Sequence, residues 1–312
     1  MKLGEIAKKL DFCVIGDNET DISSVRYPKE AASDSVVIGY SRADIESLQA
    51  GAFLSKPKIV EGKQNYLICY EGEQYAAVQI AKLLVSQGCY PDYTKPVSYT
   101  MTENSVSMGE NVNIGNDTVI EPFIVIGNDV CIGRNCRISS GVYIGSGTVI
   151  GDNVIVRSGA KIGADALFHT IYEQKYDVFV GVGKVYISDN SEIGCNTVIQ
   201  RGTFSDTHIG YRTKIGDLVD IGHDVQIGCD CRITSQSGIS GNAVIGDRVC
   251  ILGQAGIAEY IHIGNDSVIM GKSVVTKNIE NGSCISGNYG RDNSEELRFQ
   301  AFLRKLYKER KI

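Results

Sequence analysis

A branched apolar residue recurs at every sixth position over most of this chain. The repeat runs from Ile114 to Ile162, from Ile187 to Ile199 and from Ile209 to Val275. An α-helix repeats its apolar positions about every 3.6 residues and a half-buried strand every second residue, so neither fits. A six-residue period is typical of a solenoid of very short strands, in which three repeats form one triangular coil of about 18 residues. The pattern therefore predicts a mainly β solenoid over residues 101–289.

The positions between these apolar residues also repeat. Glycine often follows the isoleucine, as at Gly115 and Gly222, and a small or branched side chain often lies four residues after it, as at Val130, Cys136 and Thr148. Small side chains of this kind suit the narrow inner corners of a triangular coil. Two segments interrupt the repeat: Leu167–Tyr186, which is rich in aromatic residues, and the shorter Thr203–His208.

Residues 1–100 lack the repeat and predict a small α/β domain. Leu3–Leu10 has the pattern of a short amphipathic helix, and Tyr66–Tyr70 that of a buried strand. Gly72–Leu84 predicts a second helix, and its inward-facing residues are expected to be Ala76, Ala77, Ile80 and Leu84. A linker follows, marked by Pro91, Asp92 and Pro96.

The last segment, residues 290–312, predicts a C-terminal α-helix. Asn293 and Glu296 have the spacing of a capping box at its start. Phe299, Phe302 and Leu303 then fall on one face of the helix.

Composition excludes several classes of protein. The net charge of −6 and the absence of a basic stripe argue against nucleic-acid binding. No apolar run is long enough to span a membrane, and no secretory leader is recognisable, so we expect a cytoplasmic protein with reduced cysteines. Cys229 and Cys231 are separated by a single residue, and no C-x-x-C pair is present, so no metal site is predicted.

His223 is the strongest candidate for chemistry. It lies two residues after Ile221, which places it at an outer turn of a coil, and acidic residues surround it at Asp217, Asp220 and Asp224. A carboxylate beside an imidazole can fix its tautomer and raise its basicity, as a general base requires. The structural alternative is a solvated turn residue.

Gly241 lies one coil beyond His223, since the two are 18 residues apart. A glycine at that position leaves its backbone N–H open to close approach, which suits a donor to an oxyanion. The alternative interpretation is an ordinary turn glycine of the repeat.

The sequence resembles the left-handed β-helix acyltransferases, and most closely the bacterial UDP-3-O-acylglucosamine N-acyltransferases of lipid A synthesis. The segment Asp217–Gly228 carries the most specific part of the resemblance. The resemblance implies a left-handed parallel β-helix, a homotrimer, His223 as catalytic base and Gly241 as oxyanion donor. It also implies an acyl-CoA or acyl carrier protein as co-substrate and no bound cofactor.

Three stretches depart from that family's pattern. Tyr260 replaces a second histidine, Ala166–Thr170 replaces a phenylalanine–glycine motif, and Ile38–Asp44 lacks the usual uracil-binding pair of residues. We predict that these stretches and the carboxylates contact substrate through Tyr40, Phe168, His169, Asp217, Asp220, Asp224 and Tyr260. The departures predict N-acylation of a nucleotide-linked 6-deoxy amino sugar with a short acyl donor. The lipid A precursor UDP-3-O-acylglucosamine is the alternative acceptor.

Two other classes of function stay open on the sequence. One is a trimeric solenoid that serves as a scaffold without catalysis. The other is a metal-binding trimer, for which His208 and His223 lie within one coil of each other.

Overall fold

The computed structural model describes residues 1–40, 42–57, 64–93, 97–102, 105–287 and 292–310. The chain forms an N-terminal α/β domain, a triangular β-solenoid and a C-terminal helix. This confirms the predicted mainly β fold. The predicted boundary at residues 289 and 290, like Pro96 in the predicted linker, lies outside the described residues.

The N-terminal domain is built on a five-stranded sheet of order β1-β5-β4-β3-β2. Strand β1 is antiparallel to β5, and the other neighbours are parallel. The elements are α1 (Leu3–Leu10), β1 (Cys13–Ile15), β2 (Ser24–Arg26), a 3₁₀ turn (Pro28–Glu30), β3 (Ser35–Val37), α2 (Arg42–Ser47), β4 (Ala52–Ser55), β5 (Tyr66–Ile68) and α3 (Glu73–Ser86).

Both predicted N-terminal helices are present, and α3 buries Ala76, Ala77, Ile80 and Leu84 completely. These residues pack against α1 and one face of the sheet. The predicted strand at Tyr66–Tyr70 is shorter than expected, because it ends at Ile68 and the Tyr70 side chain is 71% exposed.

The solenoid has three parallel β-sheets, one on each face. Strands one coil apart pair in register, so that Val125 lies opposite Tyr143 and Ile126 opposite Ile144. The first face contains Thr100–Met101, which is antiparallel to its neighbour, then Ser107–Met108, Val125–Ile126, Tyr143–Ile144, Lys161–Ala164, Val198–Gln200, Asp220–Ile221, Gly238–Ile239, Gly256–Ile257 and Val274–Val275. The second contains Asn113–Ile114, Cys131–Ile132, Val149–Ile150, Val185–Ile187, Thr207–Ile209, Gln226–Ile227, Val244–Ile245 and His262–Ile263. The third contains Val119–Ile120, Arg137–Ile138, Ile155–Val156, Glu192–Ile193, Lys214–Ile215, Arg232–Ile233, Cys250–Ile251, Val268–Ile269 and Cys284–Ile285.

The sixth-position residues form the solenoid core. Ile126, Ile144, Ile162 and Ile221 are fully buried, and they belong to one continuous apolar cluster along the prism. Burying an isoleucine side chain contributes about 1.5–3 kcal/mol, so the repeat itself is the main source of stability. All ten cysteines are free.

Most turns between faces place one residue in the left-handed backbone region, with φ near +60° where that residue is not glycine. Consecutive coils are about 4.8 Å apart, so side chains at equivalent turn positions can reach each other. Pairs joined in this way are Asn111–Asp129 (3.0 Å), Arg212–Asp230 (2.6 Å), Gln236–Gln254 (2.7 Å) and Arg248–Asp266 (2.6 Å). Pairing of stacked turn side chains therefore recurs at several places along this solenoid.

The aromatic insertion forms a two-stranded antiparallel hairpin, His169–Tyr172 with Lys175–Val178, called here the aromatic hairpin. One side of it packs on α3. There the Nζ atom of Lys82 is 2.7 Å from the Oδ1 atom of Asp177, and the Tyr75 ring stacks on Tyr172 with 4.3 Å between centroids. These contacts hold the N-terminal domain against one corner of the solenoid.

Helix α4 covers Asn293–Arg310. The capping box was predicted to begin at Asn293, but Asn293 is the first residue of the helix. Asp292, which precedes it, accepts the backbone N–H of Ser294 at 2.9 Å, so the prediction is wrong by one residue. Phe299, Phe302 and Leu303 are exposed on this helix. Among the described residues, no helix combines the length and apolarity that crossing a bilayer would demand.

Candidate active site

His223 lies at the corner between the strands Asp220–Ile221 and Gln226–Ile227. Only 9% of the residue is exposed, and its Nδ1 atom is 2.7 Å from the Oδ2 atom of Asp224. Because the carboxylate accepts the Nδ1 proton, Nε2 carries the free lone pair and can take up a proton from a substrate. Of the three predicted acidic neighbours, Asp224 is the one that pairs with this imidazole.

The Asp224 carboxylate is buried and fixed by a loop. Its oxygens accept the backbone N–H of Thr203 at 3.0 Å and that of Ser205 at 2.9 Å, and the Thr203 hydroxyl donates to Oδ2 as well. A buried carboxylate is costly unless hydrogen bonds and charge compensate it. The loop that interrupts the repeat at Thr203–His208 therefore supplies the donors that hold the partner of His223.

Gly241 stacks directly on the His223 ring, as its spacing predicts. A Cβ atom at this position would lie 2.6 Å from both Cε1 and Nε2 of the imidazole. Any larger residue would therefore displace the ring. The following residue, Asn242, donates its backbone N–H to the His223 carbonyl at 2.9 Å, which keeps the two turns together.

The Gly241 amide lacks the hydrogen bond that several equivalent amides in other turns make. The amides of Arg134, Cys229 and Asp247 donate to a side-chain oxygen one coil further on, at 2.7–2.8 Å. Within the described part of the chain, the Gly241 N–H makes no such bond. It is a donor left open beside the imidazole, as an oxyanion-binding group would be.

Aromatic rings form a wall around the histidine. The Phe168 ring contacts His223 edge-on, with 5.3 Å between centroids. Phe204 then contacts Phe168, Phe179 and Tyr27 at 5.4–5.8 Å. The wall excludes water on one side of the base, which strengthens its electrostatic interaction with Asp224.

A cavity of about 520 Å³ opens next to this pair, between the solenoid corner and the N-terminal domain. Its walls include Asp224, Asn242 and Tyr260 from the solenoid, and His223 and Gly241 immediately precede the first two of these in the chain. The remaining lining residues are Tyr27, Pro28, Lys29, Glu30, Ile38, Gly39, Glu73, Gln74, Ser205, Gln226, Asn242 and Val244. A cavity of this size can enclose a sugar-sized ligand.

Burial alters the titration of the cavity's ionisable groups. It raises the pKa of the Glu30 carboxyl and lowers the pKa of the Lys29 amine. Burial, followed by the charge of Asp224, raises the pKa of the Tyr27 phenol, so this side chain is a neutral hydroxyl at physiological pH.

The other predicted site residues lie away from the cavity wall. Tyr40 packs on Phe53 inside the N-terminal domain, with 4.9 Å between ring centroids. His169 is exposed on the aromatic hairpin, and Asp217 accepts the Cys195 amide at 2.7 Å in another turn.

Two further site predictions also fall outside the wall. Asp220 is exposed on the first face, and Phe168 lies behind His223. Substrate contacts for these residues stay predictions, and Ser41 of the predicted uracil-binding stretch lies outside the described residues.

Apart from Ile38 and Gly39, which belong to the stretch Ile38–Asp44, the cavity residues of the N-terminal domain were not predicted. Lys29 and Glu30 belong to the 3₁₀ turn, and Glu73 and Gln74 to the first turn of α3. Their sequence context shows no repeat or motif. Only the three-dimensional packing of the two domains brings them near His223.

Two of the other histidines lie in surroundings different from those of His223. His208 stacks on Tyr186, with ring centroids 4.9 Å apart, and His262 is exposed on the second face. In the described part of the chain, no three His, Cys, Asp or Glu residues are grouped so that they could hold a metal ion.

We expect His208 to make stability depend on pH. Burial lowers the pKa of this imidazole in the folded state, whereas the unfolded chain has the ordinary value of about 6.5. As the pH falls through that value, the unfolded chain takes up a proton that the folded protein resists, so stability is lost below about pH 6.5 and unaffected above it. His208→Phe should retain the stacking and reduce the decline in Tm between pH 7.5 and 5.5. An unchanged decline would contradict this.

Comparison with known proteins places the chain in a family. The model of the bacterial transferase hexapeptide (six repeats) matches residues 105–140 and 132–164. The UDP-3-O-acylglucosamine N-acyltransferase of Methylobacterium sp. strain 4-46 is 40% identical over 125 residues, which span 40% of this chain and 36% of that protein. The chain thus matches about a third of the length of this relative.

A second relative aligns over most of both proteins. The UDP-3-O-acylglucosamine N-acyltransferase of Helicobacter hepaticus is 37% identical over 276 residues, or 86% of this chain and 83% of that protein. The chain belongs to the UDP-3-O-acylglucosamine N-acyltransferase family. This confirms the resemblance carried by Asp217–Gly228.

Solved structures outside the UDP-3-O-acylglucosamine N-acyltransferase family share the architecture. The UDP-N-acetylglucosamine acyltransferase of Francisella novicida is 28% identical, with a TM-score of 0.53, and covers 63% of this chain and 72% of its own. That of Bacteroides fragilis is 25% identical, with a TM-score of 0.54 over 64% and 78% of the two chains.

Proposed function

We propose that this protein transfers an acyl group from a thioester donor to the amine of a UDP-linked amino sugar, with UDP-3-O-acylglucosamine as the acceptor. The observation that carries the proposal is the buried His223–Asp224 pair at the edge of the cavity, with the open Gly241 amide beside it. The relatives named for this reaction support the acceptor. They favour it over the 6-deoxy amino sugar that the sequence departures predict.

His223 acts as the general base. Its Nε2 takes a proton from the amine as the nitrogen attacks the thioester carbonyl, and the new C–N bond forms a tetrahedral intermediate. The C–S bond then breaks, and the imidazolium returns the proton to the departing thiolate. Asp224 stabilises the imidazolium between these steps, and a positioned base of this kind contributes about 10²–10⁴ in rate.

The Gly241 N–H donates to the oxygen of the tetrahedral intermediate. The negative charge develops on this oxygen only as the bond forms, so the donor stabilises the transition state more than the bound substrate. One such donor contributes about 10²–10³ in rate. The reaction needs neither a covalent enzyme intermediate nor a bound cofactor.

The cavity is suited to the acceptor. Glu30, Glu73 and Asp224 line it together with Lys29, and such groups can hydrogen-bond the neutral amine and the hydroxyl groups of a sugar. Tyr27 and Tyr260 supply ring surfaces on which sugar or base can pack. The nucleotide then extends toward the N-terminal domain.

The donor arrives from outside this cavity. We place its pantetheine arm in a groove between the coils of neighbouring subunits of a homotrimer. The carrier is acyl-CoA or an acyl carrier protein. Phe168 packs on His223, whereas the Leu167 side chain is 78% exposed.

A competition assay tests the proposed substrates. The protein is given a short acyl-CoA and a long hydroxyacyl carrier protein together, with UDP-3-O-acylglucosamine and a dTDP-linked 6-deoxy amino sugar as acceptors. We expect the UDP-linked acceptor to form the amide product, identified by mass spectrometry. Preference for the dTDP sugar would overturn the acceptor assignment, and absence of any amide would overturn the activity.

A further inference from the structure

Three side chains project from the same turn position in successive coils beside His223. Asp224, Asn242 and Tyr260 are 18 residues apart, have φ values of 59°, 61° and 59°, and all line the cavity. Asp224 already accepts hydrogen bonds from His223 and from the backbone of Thr203. Asn242, in the middle of this column, is therefore displayed next to the reacting groups.

Asn242 lacks the side-chain hydrogen bond to the next coil that is found at several other turns of the solenoid. Asn111, Arg212, Gln236 and Arg248 each bond to the equivalent side chain one coil further on. The Asn242 Nδ2 atom is buried and has no hydrogen-bond partner. The Tyr27 hydroxyl is close to it, but the two groups do not reach hydrogen-bond geometry.

A second polar group of the same cavity is also unpaired. Ser205 is only 5% exposed, and its hydroxyl has no hydrogen-bond partner although its backbone amide binds Asp224. Buried polar atoms without partners are rare in native proteins, because each loses its bonds to water without replacement. Two of them lining one cavity indicate that a ligand supplies the missing partners.

We propose that Asn242 determines acceptor specificity: its amide donates to an oxygen on the sugar carbon next to the one that bears the amine. The Ser205 hydroxyl binds a second polar group of the same sugar. The inference rests on the proposed function, because it takes the cavity as the acceptor site.

Asn242→Gly is the decisive variant, since it removes the amide and suits the left-handed backbone. Asn153→Gly is the matched control, because Asn153 has φ 58° and is exposed in another turn. Dissociation constants for UDP-glucosamine and UDP-3-O-acylglucosamine are measured by calorimetry. We expect Asn242→Gly and Ser205→Ala each to weaken binding about 3–10-fold, and Asn153→Gly to leave it unchanged.

A ligand-free measurement separates this role from a structural one. Asn242→Gly should raise the Tm of the empty protein by about 2 °C, because it relieves an unpaired amide and a strained turn. A lowered Tm would show that the amide stabilises the fold and would overturn the inference.

Three further results of the binding measurements would each have a distinct meaning. Wild-type protein that binds neither UDP-sugar overturns the proposed acceptor and this inference with it. Wild-type binding that Asn242→Gly leaves unchanged overturns the inference alone. Equal losses of binding in Tyr27→Phe and Asn242→Gly, absent from Ser205→Ala, would show that Asn242 serves Tyr27 and not the sugar.

Discussion

His223→Ala lowers kcat by about 10²-fold or more and leaves the fold intact. The imidazole takes the amine proton in the proposed mechanism, and a positioned base contributes about 10²–10⁴ in rate. The solenoid core does not depend on this side chain, and Asp224 keeps its bonds to the Thr203 and Ser205 amides when the ring is removed. Stopped assays at saturating substrate, together with thermal unfolding, measure both effects.

The control for this variant is His262→Ala. His262 is exposed on the second face, on a strand two places along that sheet from Gln226–Ile227. We expect it to turn over at the wild-type rate. Near-normal turnover in His223→Ala would remove His223 as the base.

Gly241→Ala is expected to reduce kcat by about 10²-fold without unfolding the protein. The added Cβ would lie 2.6 Å from Cε1 and Nε2 of His223, well inside van der Waals contact, so the ring must move. Displacing the base by even part of an ångström misaligns it with the amine and with the Gly241 N–H. The backbone itself tolerates alanine, since Gly241 does not have a left-handed φ.

Gly256→Ala provides the matched control for that clash. Gly256 lies on the first face of the solenoid, and a Cβ there meets no atom within 4 Å. The two variants therefore add the same methyl group, one against the imidazole and one into open space. Equal rates in both would mean that the ring's position against Gly241 does not matter for catalysis.

The solenoid could be predicted from the sequence because the same kind of residue, a branched apolar one, recurs at the inward-facing positions. Every sixth side chain must fill the interior, as Ile126 and Ile221 do, and any polar residue there would be buried without a partner. The relation of His223 to Gly241 follows from the same repeat. Their spacing of one coil predicts the stacking that the structure shows.

The remainder of the site depends on contacts that no repeat encodes. Thr203 and Ser205 come from a loop that interrupts the repeat, and their amides reach Asp224 only because the chain turns back over the corner. Lys29 and Glu73 belong to a separate domain, whose docking depends on contacts such as Lys82–Asp177. Predicting these partners needs the relative position of the two domains.

The sequence does not show which residues of an aromatic segment face the site. Phe168 and Leu167 are adjacent, yet one packs on His223 and the other faces solvent. Tyr40 is predicted to contact substrate, and in the structure its ring packs on Phe53 in the N-terminal domain. The alternation of a strand or loop sends neighbouring side chains in opposite directions, so a motif alone does not decide which of them lines a cavity.

The central claim is that the His223–Asp224 pair drives amide formation on a UDP-linked amino sugar. The most direct test is single-turnover product formation with UDP-3-O-acylglucosamine and an acyl carrier protein thioester, followed by mass spectrometry for wild type, His223→Ala and His262→Ala. The account predicts rapid amide formation by wild type and His262→Ala, and a rate lower by about 10²-fold or more in His223→Ala. Amide formation at the same rate in all three proteins would contradict it.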